Sequence, residues 1–90
     1  MKQPTIDELF ATRRWCYFIP RNGFVQGEGY RVSIVFEGES GHFPTGTDTK
    51  APWFWGTSYR EAEEFCAEQN QRNGLDVGDV VAILRSAGVL

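Results

Sequence analysis

The spacing of apolar residues changes period along this chain, and each change marks an element. Tyr30, Val32, Ile34 and Phe36 alternate with Arg31, Ser33, Val35 and Glu37. That period of two predicts a half-buried antiparallel strand. From Tyr59 the period lengthens. Tyr59, Ala62, Phe65, Cys66 and Gln69 fall on one face of a helix, and Glu61, Glu64 and Glu68 fall on the opposite face.

Polar residues mark where the helices begin. Thr5-Ile6-Asp7-Glu8 and Ser58-Tyr59-Arg60-Glu61 read as capping boxes, in which a hydroxyl and a carboxylate satisfy amides that have no partner within the helix. The first helix carries Ile6, Leu9 and Phe10 and ends near Arg13 and Arg14, cations suited to a helix C-terminus. The second stops at Asn73-Gly74. Asp76 caps a third, with Val77, Val80, Val81, Leu84 and Ala87 as its apolar stripe.

Aromatic Trp15 to Ile19, stopped by Pro20, reads as a strand, with turn chemistry following at Arg21-Asn22-Gly23. Gly38 to Gly41 is a further turn, and His42 to Thr45 a short strand held to an edge by Pro44. Thr47 to Lys50 reads as a polar loop, and Pro52 to Gly56 as a short extended segment. The order α-β-β-β-α-α predicts one α+β domain over residues 1–90. It would be a small three-stranded antiparallel sheet with helices packed on one face.

Composition fits that picture. Three Trp and seven Phe among 90 residues supply large rings for one core. The net charge of −3 weighs against a general phosphate-backbone binder. Cys16 and Cys66 show neither a disulfide framework nor a metal motif, which suggests reduced, packed thiols in a cytoplasmic protein. No signal peptide or membrane span is expected.

The residues that carry chemistry are few. His42 is the one histidine, and no catalytic signature surrounds either cysteine. Asp48, Asp76 and Asp79 do not match a calcium loop, so neither a metal nor a cofactor is expected. Gly27-x-Gly29 precedes a strand rather than opening a helix, and Val32 stands where a dinucleotide fingerprint needs its third Gly.

Two surfaces invite a partner. Trp53, Trp55 and Tyr59 cluster at the start of the second helix, and Trp and Tyr dominate protein-interface hot spots. Glu61, Glu64 and Glu68 form either an acidic docking stripe or simply a solvated helix face. The α-β-β-β-α order also matches the double-stranded-RNA-binding domain. Arg13, Arg14, Arg21 and Arg31 would then be the phosphate contacts, although Glu61, Glu63, Glu64 and Glu68 give the helix after the sheet the wrong charge.

Tyr30 to Phe36, Phe43-Pro44-Thr45-Gly46 and Pro52-Trp53-Phe54-Trp55-Gly56, followed by Tyr59 and Glu61-Ala62, resemble small proteins of bacterial plasmids and other mobile elements. More loosely, three strands and a helix, with Thr45-Gly46-Thr47 ahead of Ser58 to Ala62, are similar to HicB-like antitoxins. The first resemblance implies a regulatory or counter-defence accessory that binds a host or element protein, the second an antitoxin-like factor. The leading expectation is therefore a non-enzymatic protein-binding accessory. A nucleic-acid-binding module and a small enzyme using His42 stand as alternatives.

Overall fold

The structure, a computed structural model, describes residues 3–27, 29–45, 55–56 and 58–90, with 55 and 56 described by their backbone alone. Helix α1 (Ile6–Thr12) leads into strands β1 (Trp15–Phe18), β2 (Phe24–Val25), β3 (Gly29–Arg31), β4 (Ser33–Phe36), β5 (Phe43–Pro44) and β6 (Trp55–Gly56). Helices α2 (Tyr59–Arg72) and α3 (Val77–Ser86) follow. The fold is α+β in the helix–sheet–helix–helix order that the hydrophobic periods predict.

The N-caps form where the sequence places them, while the reciprocal carboxylate-to-amide exchange expected at Thr5 is seen instead at Asp76. The Thr5 hydroxyl accepts from the Glu8 amide at 3.2 Å, and the Ser58 hydroxyl from the Glu61 amide at 3.1 Å. At Asp76 the exchange is reciprocal with Asp79, at 2.8 and 3.1 Å. Gly74 takes φ +81° after α2, a left-handed conformation open to glycine without strain.

The alternating segment departs from one continuous strand. It divides at Val32 into β3 and β4, which serve two small sheets ordered β2-β3-β6 and β1-β4-β5. The partner strand changes at this point: the amide and hydroxyl of Thr45 donate to the Val32 carbonyl at 3.1 and 3.0 Å, continuing the register of β4 with β5, whereas Arg31 pairs with Trp55 of β6. In the larger sheet Trp15 pairs with Phe36 and Tyr17 with Ile34, antiparallel.

That sheet is also covered on both faces rather than one. Tyr17, Ile34 and Phe36 join Leu9 of α1 and Ala62 and Cys66 of α2 in one cluster. Cys16, Phe18 and Val35, of opposite parity, join Ile83 and Ala87 of α3 in another. β4 is therefore buried along its whole length, Ser33 and Val35 included, instead of being half-exposed. The physical reason is Val35, an apolar residue on the side expected to face solvent, which gives α3 something to cover.

One polar side chain joins these layers. Asn70 of α2 is buried, accepts from the Tyr17 amide at 2.8 Å and donates to the Tyr17 carbonyl at 3.1 Å. β1 is an edge strand of its sheet. The Asn70 amide thus occupies a place that another strand would otherwise take. Removing it leaves two buried backbone groups unpaired, each costing about 1–3 kcal/mol. We expect Asn70→Ala to lower unfolding free energy in urea by about 2 kcal/mol or more, with Asn70→Asp no better because a carboxylate cannot donate to the Tyr17 carbonyl.

Candidate functional site

α2 and α3 cover different faces of the sheet, and its edge strand runs between them. Their facing sides leave a groove of about 850 Å³. Its floor is Tyr17, Phe18 and Ile19 of β1 and the residue after it. Ala67 and Cys66 line one wall, and Val77, Val80, Val81 and Leu84 line the other.

The apolar stripe of α3 is wider than the sheet can bury. Ile83 and Ala87 turn inward and are buried, at 0% and 7% exposed, while Val77 is left 80% exposed at the groove mouth. Leu90, also on the groove, is 67% exposed. The stripe that the spacing predicts includes Val77 and omits Ile83. The alternative stripe through Val80, Ile83, Leu84 and Ala87 was present at helical spacing, but which stripe meets the sheet depends on how α3 docks.

Tyr59, an expected binding residue, stands at the end of the groove and is 52% exposed. Its ring meets Tyr30 edge-on at 5.5 Å, and Tyr30 meets Phe24 at 5.0 Å. Phe24 is itself 54% exposed. An aromatic strip therefore runs from β2 through β3 to the groove. Trp53 lies outside the described residues. Trp55 enters through its backbone, as β6 paired with Arg31 of β3.

The acidic stripe does not line the groove. Glu64 pairs with Arg60 at 3.1 Å and Glu68 with Arg72 at 2.7 Å, both exposed i,i+4 pairs on α2. Glu61 is exposed at the cap, where the Ser58 hydroxyl donates to it at 3.5 Å. The carboxylate at the groove is instead Glu63, joined by Asp76 from the start of α3. Its signal in the sequence was its position one helical turn after Tyr59.

The arginines proposed for nucleic acid are partly engaged with carboxylates. Arg13 pairs with Glu39 at 3.2 Å. Arg14 bridges Glu37 at 2.6 Å and Asp79 at 3.0 Å, tying the end of β4 to the first turn of α3. Those contacts hold the Glu37 carboxyl below the usual range, and the Asp76 amide and Arg14 do the same for Asp79. Arg21 is exposed on the turn after β1, while Arg31 is half-buried in β3. Arg13 and Arg14 are thus matched with carboxylates at the surface of the fold.

His42 is exposed and packs edge-on against Phe18 at 5.3 Å. It lines a second hollow with Pro20, Arg21, Asn22 and the segment from Ala87 to Leu90, and no carboxylate or thiol is among the described lining residues. Cys16 and Cys66 are free and buried, and burial pushes both thiols up to about 12. Among the described residues no group of three His, Cys, Asp or Glu side chains converges as a metal site. No described helix is long and apolar enough to cross a membrane.

Comparison with known proteins adds no relative: no family model, curated protein or solved structure matches the chain.

The thiols give a pH dependence of definite sign. A folded-state pKa above the unfolded value of about 8.5 means that the native protein holds its protons more tightly. Their contribution to stability is complete below about pH 8.5 and is lost as the pH rises towards 12. Burial raises the Tyr17 phenol in the same direction. Chemical unfolding at pH 7 and pH 10 should show lower stability at pH 10, with a smaller difference in a Cys16→Ala/Cys66→Ala variant. Native protein at pH 7.5 should also resist a thiol-alkylating reagent that modifies the urea-unfolded chain completely.

Proposed function

We propose that this chain is a non-catalytic accessory protein that works by binding another protein, through the α2–α3 groove and the Tyr59 strip that runs into it. The observation that carries this reading is the exposure of Val77, Leu90, Tyr59 and Phe24, large apolar side chains of which three line the groove and the fourth begins the aromatic strip. Scattered apolar residues are ordinary on a protein surface. An apolar cleft with an aromatic approach marks an interaction site.

Other features agree with this. The buried thiols are raised away from nucleophilic reactivity, and His42 faces a hollow without a base or thiol partner. Free cysteines suit a reducing cytoplasm. Taken with the resemblance to plasmid and mobile-element proteins, the role is that of a regulatory, counter-defence or antitoxin-like factor.

The relevant comparison is between the groove and the acidic stripe. Wild-type protein immobilised in a bacterial lysate should retain a discrete partner. A Tyr59→Asn/Val77→Asn variant should lose it, and a charge reversal of Glu61, Glu64 and Glu68 should keep it. Both variants alter exposed side chains, so circular dichroism should show native folds. Loss on charge reversal with retention by the groove variant would move the interface to the stripe, and failure of the wild type to retain any protein would reject a binding role.

A further inference from the structure

We infer that the groove receives an amphipathic helix carrying basic residues along the flanks of its apolar face. This deepens the reading of the groove as a protein-binding site and rests on it.

The shape of the occupant follows from the floor. An extended peptide binds a sheet edge through backbone hydrogen bonds to the outermost strand. β1 is that strand, and the amide and carbonyl of Tyr17 are already taken by Asn70. The middle of the edge has nothing left to offer a strand. What the groove does offer is side chains: Ala67 on one wall, Val77, Val81 and Leu84 on the other. A helix presents a stripe of side chains at i, i+3, i+4 and i+7 to such a surface and keeps its own backbone bonds. The α2 wall extends from Tyr59 to Gln71, a rise of about 18 Å, which matches roughly three turns of a bound helix.

The charge of the occupant follows from the rim. Glu63 on α2 and Asp76 at the start of α3 are the acidic side chains among the described lining residues, and no Lys, Arg or His is among those described. Asp76 caps α3 through the Asp79 amide. The nearby cations Arg60 and Arg72 are paired with Glu64 and Glu68. A second copy of this chain would therefore bring like charges against Glu63 and Asp76, whereas lysines or arginines flanking an apolar stripe would complement them. The net charge of −3 acts in the same direction on approach.

The test uses designed peptides of about 14 residues, long enough for the groove. One carries Leu at i, i+3, i+4 and i+7 with Lys on the flanks. A second replaces each Lys by Glu, and a third keeps the basic composition but places two prolines in its centre. Fluorescence anisotropy at low salt should show the basic helix binding roughly tenfold or more tightly than the acidic one, with the proline peptide weaker still. Glu63→Lys should narrow the difference between the charged peptides, and Val77→Asn/Leu90→Asn should weaken the basic helix. Equal binding of the two charged peptides would overturn the assignment of charge. Equal binding of the proline peptide would overturn the helix. Binding that survives both groove variants would place it elsewhere on the surface. A concentration-dependent dimer in sedimentation velocity, abolished by Val77→Asn/Leu90→Asn, would make a second copy the occupant and overturn the proposal. If no peptide binds, the basic helix is rejected, while partner retention by wild type and its loss from Tyr59→Asn/Val77→Asn separately decides whether the groove binds a protein at all.

Discussion

The buried amide of Asn70 is the contact on which the arrangement of this fold depends. It makes two hydrogen bonds to one residue of β1, and so fixes both the rotation of α2 and its position along the strand. A hydrophobic contact alone would permit α2 to slide or roll, because burial is not directional. A buried side-chain amide penalises any displacement that leaves its partners unsatisfied. With α2 held at the edge, Ala62 and Cys66 meet the sheet, and Ala67 is turned outward beside β1. The same bonds cap an exposed strand edge, the part of a small sheet most open to unwanted pairing.

The other half of the groove comes from the second face of the sheet. Cys16, Phe18 and Val35 make that face apolar enough to recruit α3 through Ile83 and Ala87. Arg14 adds a polar tether by joining Glu37 to Asp79 in the first turn of α3. Exposed ion pairs contribute little individually, so the packing holds the helix and the arginine sets its starting end. The cleft between the helices therefore follows from a two-faced sheet. Had all helices packed on one face, α2 and α3 would have closed on each other.

Most helix boundaries were legible in the sequence, because a cap is a local event: Thr5, Ser58 and Asp76 act on amides three residues away. The strands were less legible. Val32 belongs to an unbroken alternating pattern, and the division there comes from a change of partner, β5 up to Val32 and β6 from Arg31, both remote in sequence. Glu61, Glu64 and Glu68 lie on an exposed face of α2, as their spacing predicts, while the carboxylates at the groove are Glu63 and Asp76. Tyr59 was legible as a binding candidate from its residue type and its place at a helix start. Val77 was not, because an apolar residue on an apolar stripe gives no sign of being left uncovered.

The sequence by itself determined the class of fold and the start of each helix, since these depend on side-chain chemistry and spacing over a few residues. Tertiary structure alone decided which face of the sheet each helix takes, that Asn70 closes the edge, and that Val77 and Leu90 are left facing a cleft. Those outcomes depend on contacts between residues distant along the chain, whose energies compete only once the layers have come together. Periodicity identifies an apolar face, but the partner that covers it, or fails to cover it, is chosen by packing.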